Sequence, residues 1–383
     1  MIERIINGVN LKVDPHSRAN IYFPNSFVQK LEDYALDQIL DLFYLEKKQY
    51  TPLALTWEVT NVCNFSCPFC YINTSDKITK TTDFNKILAD LNYLIDNGLL
   101  ICYLTGGEIL TYPYFNEIYL YLKQKGVLVA LLTNLSLLNE EHIALFKKYP
   151  PYKITVSIYG ISDSIFQSVT GTKLSYNHIL ENILKLKKNG INVTCQTPIN
   201  TYTLDEYVDI GKWCEENQIK YTCSNELNPT YQGATLDKYY IPNDIFENYK
   251  QKITRVQTIH SNSLPHISDI IGYKKHFDCR AGKHTFALSH DYYLRPCFVL
   301  YGKDCKRFWA GNSMRKALED MIEYINEMNE RTIKFCRGCV AVNICNECIF
   351  TQTKHQNLKE YMDEQCSKNM QLYQSIKKTN SPQ

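Results

Sequence analysis

The sequence predicts an α/β protein whose central domain is an open, six-stranded partial (β/α)6 barrel. From residue 54 onward, short apolar runs rich in β-branched residues alternate with stretches of helical periodicity, and the alternation gives six strands. That order predicts a parallel sheet with right-handed crossovers, and six units are too few to close an eight-stranded barrel. Farther along, residues 276–370 contain eight of the 15 cysteines, which indicates a second, cysteine-rich domain.

The elements of the barrel can be placed in order. The predicted strands occupy residues 54–60, 100–107, 127–134, 152–160, 191–200 and 219–227. The predicted helices lie near 83–97, 114–125, 139–148, 175–189 and 204–217. In parallel sheets of this kind the chemistry gathers at the carboxyl ends of the strands. Functional residues are therefore expected where each strand ends.

The rest of the chain is organised around this barrel. The predicted regions are an N-terminal appendage (1–50), the barrel (51–228), a bridge (229–275), the cysteine-rich domain (276–370) and a frayed tail (371–383). Within the appendage, "NLKVDPHSRANIYF" (10–23) predicts a small hairpin, and a helix is expected near 26–46. The appendage is short for an independent domain, so we expect it to pack on the barrel or to recognise a partner.

Composition limits the class of protein. The 383 residues are 44% hydrophobic and carry a formal net charge of +2, which suits a globular protein without a field that attracts nucleic acid or membranes. Neither a signal peptide nor an apolar run of spanning length is evident, so we expect a cytoplasmic protein. In a reducing compartment, clustered cysteines more often hold metal than form disulfides.

Three cysteines directly follow the first predicted strand. Cys63, Cys67 and Cys70 have C-x3-C-x2-C spacing within "CNFSCPFCY". Three thiolates on one loop can bind three corners of a 4Fe–4S cluster and leave one iron open for chemistry, whereas tetrahedral zinc normally needs a fourth ligand nearby. A zinc site with a distant fourth ligand and a metal-free group of cysteines both remain open.

The second predicted strand ends in Gly106, Gly107 and Glu108, at the same end of the sheet as the cysteines. Two glycines allow a backbone to approach a ligand closely, and a carboxylate can accept hydrogen bonds from an ammonium group. The fourth and fifth strands end near Ser157 and Thr197, two further polar candidates.

The cysteine-rich domain contains enough thiols for two metal centres. Its core, "CRGCVAVNICNEC", has C-x2-C-x5-C-x2-C spacing and is followed, after 17 intervening residues, by Cys366. Paired C-x2-C units are used by zinc ribbons as well as by iron–sulfur proteins, so the spacing alone leaves both open. The remaining cysteines, Cys102, Cys195, Cys214 and Cys223, are expected to be small buried hydrophobic residues.

The stretch "EVTNVCNFSCPFCY", with its three cysteines just past the first strand of a β/α repeat, resembles the signature of the radical S-adenosylmethionine (radical SAM) superfamily. The resemblance implies a cluster on Cys63, Cys67 and Cys70 whose open iron chelates SAM. An external electron donor then drives cleavage of SAM to a 5′-deoxyadenosyl radical. It further implies SAM contacts from Tyr71 (adenine), Gly106, Gly107 and Glu108 (amino group) and Ser157 (ribose), with Thr197 a weaker candidate.

The cysteine-rich domain is similar to the SPASM domain that follows many radical SAM peptide-modifying enzymes. This similarity implies two auxiliary 4Fe–4S clusters, one on Cys279, Cys297 and Cys348 and one on Cys336, Cys339, Cys345 and Cys366, hence three clusters in total. The chain departs from the pattern in its last core gap, in Tyr292 where a glycine is usual, and in lacking an upstream fourth ligand. The first auxiliary cluster therefore has an open iron or recruits Cys305, which could equally be a hydrogen donor or a bystander.

Taken together, the resemblances imply an enzyme that modifies a ribosomally synthesised precursor peptide by oxidative crosslinking, forming a thioether or carbon–carbon bond. The N-terminal appendage could hold the leader of such a peptide by strand addition. A formylglycine-forming sulfatase maturase, or another protein-modifying radical SAM enzyme, remains an alternative. A non-catalytic zinc-binding protein is a third.

Overall fold

A computed structural model describes most of the barrel and parts of the flanking regions. The described residues are 1–6, 9–18, 20–22, 28–30, 50–72, 82–224, 227–228, 230, 236–242, 245, 281–282, 284–300, 306–336 and 366–367. Most of the expected bridge and all of the expected tail lie outside these residues.

The N-terminal appendage contains a four-stranded antiparallel sheet. Its strands, in both sequence and spatial order, are β1 (Ile2–Ile6), β2 (Val9–Val13), β3 (Asn20–Tyr22) and β4 (Val28–Lys30). The β2–β3 pair confirms the predicted hairpin. The helix expected near 26–46 is wrong at residues 28–30, because pairing with β3 overrides the local pattern there. The remainder of that expected helix lies outside the described residues.

All six predicted barrel strands are present and parallel. They are β5 (Ala54–Thr60), β6 (Ile101–Gly106), β7 (Leu128–Thr133), β8 (Lys153–Ser157), β9 (Val193–Pro198) and β10 (Lys220–Ser224). Each strand pairs with the next one along the chain. Their carboxyl ends therefore lie along one edge, as the alternation of strands and helices predicts.

The predicted helices between the strands are confirmed, and one further helix is present. They are α1 (Phe84–Asp96), α2 (Phe115–Gln124), α3 (Glu140–Lys148), α4 (Asp163–Thr170), α5 (Tyr176–Lys188) and α6 (Tyr207–Glu216). The unpredicted helix is α4, which has only eight residues. The hydroxyl of Ser162 caps its first turn, and Gly171 ends it with a positive φ of 66°.

The described part of the cysteine-rich domain continues the barrel sheet. β11 (Thr285–Leu288) pairs in parallel with the free side of β5, and β12 (Tyr293–Arg295) and β13 (Phe308–Trp309) follow in antiparallel order. Within the described residues, the sheet thereby has nine strands. The long helix α7 (Met314–Cys336) packs beside β12 and β13. The sequence pattern did not predict this continuity.

The N-terminal sheet covers the amino ends of the barrel strands. Its side chains Ile6, Leu11 and Val13 form one apolar cluster with residues at the starts of β5, β6 and β7, such as Ala54. Arg4 donates hydrogen bonds to the carbonyls of Gly126 and Ile95, at 3.3 and 2.9 Å. The appendage packs on the barrel, as expected, at the end opposite the cysteine loop.

Across the described ranges, no helix is both long enough and apolar enough to cross a lipid bilayer.

Candidate active site

The loop that carries Cys63, Cys67 and Cys70 begins where β5 ends and is held by its neighbours. The backbone amide of Ser66 donates to the carbonyl of Thr170, at the end of α4, with a distance of 2.8 Å. The ring of Phe65 packs edge-on against Phe166 of α4, with 5.7 Å between ring centroids. Helix α4, which the sequence pattern missed, thus anchors the middle of the cysteine loop.

The three thiols lie close enough to affect one another. Cys67 is buried, and Cys63 and Cys70 are half-buried. Burial raises the pKa of Cys67, and the neighbouring Cys70 and Cys63 raise it further. Positive charge from bound iron would offset this cost and favour the thiolates. Among the described residues, no three His, Cys, Asp or Glu side chains converge on a single-ion site. A cluster does not need such convergence, because each thiolate binds a different iron.

Amide groups point toward the first of these sulfurs. The backbone amide of Phe65 donates to Cys63 Sγ at 3.4 Å, and the side-chain amide of Asn134 lies 3.8 Å from the same sulfur. Asn134 also donates to Asn64 Oδ1 at 3.0 Å, and Asn64 donates to Ser136 Oγ at 2.8 Å. These residues join the cysteine loop to the end of β7. Asn134 and Ser136 follow the third barrel strand, and this position could have indicated a role, but the sequence analysis assigned them none.

Gly106 and Gly107 lie so close to the backbone at the end of β5 and just past it that neither position has room for a Cβ atom. A Cβ at Gly106 would lie 2.3 Å from the carbonyl oxygen of Thr60, and one at Gly107 would lie 2.2 Å from that of Val62. The amides of Gly107 and Glu108 donate to these same two carbonyls, both at 2.8 Å. The glycines therefore allow the segment that leads into Cys63 to lie against the end of β6. The predicted contact with SAM stays a prediction.

The carboxylate of Glu108 is fully buried and bonded within the protein. It accepts hydrogen bonds from the hydroxyl of Thr133 (2.6 Å) and from the backbone amides of Asn134 (2.7 Å) and Leu110 (3.1 Å). Burial raises its pKa, and these three hydrogen bonds act in the opposite direction. Glu108 therefore holds the ends of β6 and β7 together. Its expected acceptance of the SAM amino group remains a prediction.

The end of β8 brings a tyrosine to the cysteines. The side chain of Tyr159 lies close to Cys67 and to Ser157, and its ring packs against Phe69 with centroids 5.9 Å apart. Its pKa is raised well above the ordinary value, first by burial and then by Cys67 and Cys70. Ser157 thus lies one side chain away from the cysteine loop. Tyr159 was missed, although side chains two residues apart in a strand share a face.

The other two residues predicted to contact SAM, Thr197 and Tyr71, have different surroundings from each other. Thr197 is fully buried, and its hydroxyl donates to the carbonyl of Ile158 at 2.9 Å, so it is engaged within the sheet. Tyr71 is half-buried at the end of the cysteine loop, and its ring packs edge-on against Phe298 at 5.5 Å between centroids. Both assignments as SAM contacts remain predictions.

The cysteine-rich domain is described only in part. Cys297 and Cys366 are half-buried, and Cys336 ends α7. The other predicted ligands lie outside the described residues, namely Cys279, Cys339, Cys345 and Cys348, as does Cys305. Tyr292 has a positive φ of 68°, the left-handed conformation that favours glycine. A glycine, which the expected SPASM pattern has at this position, would adopt this conformation without strain.

Cysteines Cys102, Cys195 and Cys214 are fully buried, which confirms their predicted packing role, whereas Cys223 is half-buried.

Comparison with known proteins identifies the barrel. Residues 57–224 match the model of the Radical SAM superfamily. These residues form a radical SAM domain. The match begins inside β5 and ends with the last residue of β10, so it covers the six parallel strands and the site at their carboxyl ends. The chain thus has an α/β radical SAM fold with a largely parallel sheet.

Two curated relatives of the chain come from Bacillus subtilis (strain 168). The chain is 28% identical over 273 residues to the antilisterial bacteriocin subtilosin biosynthesis protein AlbA, covering 70% of this chain and 59% of AlbA. It is 26% identical over 165 residues to the sporulation killing factor maturation protein SkfB, covering 43% of this chain and 40% of SkfB. The chain therefore spans less than two thirds of the length of either relative.

Among solved structures, the chain is similar to Streptococcus suis SuiB bound to precursor peptide SuiA. The TM-score is 0.62 at 16% identity, with 89% of this chain and 82% of that chain covered. At this level of identity, the likeness is one of fold.

Proposed function

We propose that the chain is a radical SAM enzyme that modifies a ribosomally synthesised precursor peptide, by oxidative crosslinking through a thioether or carbon–carbon bond. The observation that carries the proposal is the gathering of three cysteine thiols at the carboxyl ends of a radical SAM barrel. The relatives support the substrate class. AlbA is a bacteriocin biosynthesis protein, SkfB is a maturation protein, and SuiB binds a precursor peptide.

The residues present suit a 4Fe–4S cluster. Cys63, Cys67 and Cys70 would hold it, and the amides of Phe65 and Asn134 would donate to the sulfur of Cys63. When bound, the cluster and SAM supply the 5′-deoxyadenosyl radical. The protein's own part is to keep the thiolates together, to fix the loop through Ser66, and to exclude water with buried rings.

The strand ends would form the SAM site around this loop. The backbone at Gly106 and Gly107 would receive the amino group of SAM, while Glu108, held by Thr133 and Asn134, keeps that turn in place. Ser157 would contact the ribose and Tyr71 the adenine. Thr197, whose hydroxyl donates to the carbonyl of Ile158, is the weaker candidate for a SAM contact.

The cysteine-rich domain would bind two auxiliary 4Fe–4S clusters. Cys279, Cys297 and Cys348 would hold the first, with an open iron or Cys305 as the fourth ligand. The second would use Cys336, Cys339, Cys345 and Cys366. The continuity of β11 with β5 supports this arrangement, because β12, which leads into Cys297, is then separated by only one strand from β5, which leads into Cys63.

The position of the N-terminal sheet limits how a leader peptide is recognised. The sheet lies at the amino ends of the barrel strands, and β5 has seven residues, which span about 23 Å at about 3.3 Å per residue. A leader added to an edge of this sheet would need at least about seven extended residues to reach the cysteine loop. A precursor with a shorter spacer would have to be recognised elsewhere.

The proposal is tested with the anaerobically reconstituted protein, SAM, a reductant and candidate precursor peptides encoded near its gene. We expect reductant-dependent 5′-deoxyadenosine and a peptide that has lost two hydrogen atoms for each crosslink. The Cys63, Cys67 and Cys70 to alanine variant should give neither product, whereas Cys102→Ala, which changes a buried cysteine of β6, should give both. SAM cleavage by the triple variant at the wild-type rate would contradict the assignment. Conversion of a peptide cysteine to formylglycine would favour the sulfatase-maturase alternative.

A further inference from the structure

A buried ion pair joins the radical SAM barrel to the start of the cysteine-rich domain. Arg295 Nη2 lies 3.0 Å from Glu58 Oε2, and the two side chains are 1% and 0% exposed. The second terminal nitrogen of Arg295 donates to the carbonyl of Leu300 at 3.2 Å. Glu58 lies on β5, five residues before Cys63, and Arg295 ends β12, two residues before Cys297. The pair therefore connects the approaches to two different cysteine groups.

Stability alone is a weak reason for such a pair. Desolvation of two buried charges offsets most of their attraction, and a well-packed apolar pair of similar volume often serves stability equally well. What the guanidinium adds is direction, because its planar donors fix the angle as well as the distance to a partner. The same part of the sheet contains a pair for comparison. Arg307, just before β13, and Asp291, in the β11–β12 turn, are 2.9 Å apart but more than a third exposed.

Other contacts hold the same segment against the barrel. Leu288 of β11 is in register with Trp57 of β5, next to Glu58. The hydroxyl of Tyr292 donates to Asp90 of α1 at 2.7 Å, across the β11–β12 turn. On the far side of Cys297, the ring of Phe298 packs against Tyr71, the residue that follows Cys70. Cys297 thus lies between Arg295, which pairs with Glu58, and Phe298, which packs against Tyr71.

We propose that Glu58 and Arg295 are positioning residues that fix Cys297, and with it the first auxiliary cluster, relative to the loop of Cys63, Cys67 and Cys70. This inference rests on the proposed function. Fixing one cluster ligand from the strand that carries the other cluster keeps the two centres at a set separation around one substrate. Loss of the pair releases the segment 296–298 while leaving the cysteine loop attached to α4 through Ser66.

The test removes both charges together, so that no unpaired charge stays buried. The double variant Glu58→Leu with Arg295→Met is compared with Asp291→Leu with Arg307→Met, which removes the exposed pair in the same part of the sheet. Each protein is reconstituted, and two quantities are measured: the electron paramagnetic resonance signals of the reduced clusters, and the ratio of crosslinked peptide to 5′-deoxyadenosine. We expect the buried-pair variant to alter the signal of one auxiliary cluster and to lower the ratio at least tenfold. The control variant should change neither.

A second variant keeps the test decisive if the double variant does not fold. Glu58→Gln retains an acceptor oxygen for Arg295 in nearly the same shape. We expect this variant to lower the ratio of crosslinked peptide to 5′-deoxyadenosine by less than about threefold, which is less than half of a tenfold effect on a logarithmic scale. Unchanged auxiliary signals and an unchanged ratio in the buried-pair variants would overturn the inference, as would an equal effect in the exposed-pair control. Failure of the proposed function is seen separately, as a wild-type protein that cleaves no SAM or modifies no peptide.

Discussion

The hydroxyl of Thr133 donates a 2.6 Å hydrogen bond to the buried carboxylate of Glu108, and this contact joins the ends of β6 and β7 beneath the cysteine loop. The backbone amide of Asn134 donates to the other carboxylate oxygen at 2.7 Å. Because the side chain of Asn134 in turn reaches Cys63, a short chain of hydrogen bonds connects the Gly-Gly-Glu turn to the first cysteine. The site is therefore built as one polar network across three strand ends.

Replacing Glu108 with glutamine should weaken this network while keeping the shape of the side chain. A glutamine presents one donor group where Glu108 accepts hydrogen bonds, so one amide or hydroxyl loses its partner, at a cost of about 1–3 kcal/mol. We expect a lower melting temperature and weaker SAM binding, measured by thermal denaturation and by equilibrium titration of the reconstituted protein. Glu117→Gln, in the first turn of α2, is the control and should change SAM binding little. Equal SAM affinity for Glu108→Gln and wild type would contradict the role assigned to Glu108.

Replacing Gly107 with alanine should disrupt cluster binding at the cysteine loop. The new Cβ would meet the carbonyl oxygen of Val62 at 2.2 Å, so the segment leading into Cys63 must move. We expect the variant to contain about four fewer irons per chain, which corresponds to one cluster, and to lose SAM cleavage. The matched control is Gly211→Ala in α6, where the nearest atom of Tyr221 is 3.4 Å away and alanine favours the helix. Full iron content in Gly107→Ala would show that the close approach is not required.

Replacing Tyr159 with phenylalanine should make the cluster harder to reduce. The hydroxyl lies close to Cys67, and a hydrogen bond from it to the sulfur of a cluster ligand would raise the potential of the cluster. A hydrogen bond that contributes about 1 kcal/mol more in the reduced state would shift a one-electron potential by about 40 mV. A redox titration followed by electron paramagnetic resonance measures this shift. Tyr202→Phe, whose ring also packs near Phe69, should leave the potential in place. A shift of the same size in both variants would argue against a specific effect of Tyr159.

The left-handed conformation of Tyr292 predicts a reversal of the usual order of alanine and glycine. Both Tyr292→Ala and Tyr292→Gly remove the ring and the hydrogen bond to Asp90, but only alanine retains the cost of a positive φ. That cost is about 1–2 kcal/mol, so the glycine variant should be the more stable of the two. Melting temperatures of the two variants decide the matter. A more stable alanine variant would mean that the turn does not hold this conformation.

The buried Lys123 predicts a pH dependence at the N-terminal sheet. Its ammonium donates to the carbonyl of Ser17 at 3.0 Å, and burial lowers its pKa from 10.5 to about 8, while Asp14 acts in the opposite direction. Between these two values the unfolded chain keeps a proton that the folded chain has released, so this group makes stability rise with pH across that window. The contribution is about 3 kcal/mol, at ~1.4 kcal/mol per pKa unit.

Lys123→Met removes this titration. We expect the melting temperature of the variant minus that of the wild type to fall as the pH is raised from 8 to 10.5. Taking the difference cancels the buried thiols and tyrosines, which titrate in both proteins. A constant difference across the range would contradict the lowered pKa.

The periodicity of apolar residues and the order of strands and helices were enough to predict the barrel, but not the strands that the flanking regions add. The six strands and five of the helices follow from alternation of apolar runs, which is a local property of the sequence. Helix α4 was missed because eight residues give too short a pattern. Strands β4 and β11 depend on pairing with distant strands, and no local signal reports that pairing.

The candidate site divides in the same way. The cysteine spacing and the Gly-Gly-Glu turn are contiguous motifs, so their presence at the strand ends could be predicted. The reason for the glycines could not, because the atoms that their Cβ would meet belong to Thr60 and Val62, at the end of β5 and just past it. The pair of Glu58 and Arg295, separated by 237 residues, is visible only in the folded protein.

The central claim is tested most directly by the metal content of the anaerobically reconstituted protein, measured on the same sample as reductant-dependent SAM cleavage. We predict about twelve irons per chain, from three clusters of four, with an equal amount of sulfide and with formation of 5′-deoxyadenosine. About two zinc ions per chain and no 5′-deoxyadenosine would contradict it.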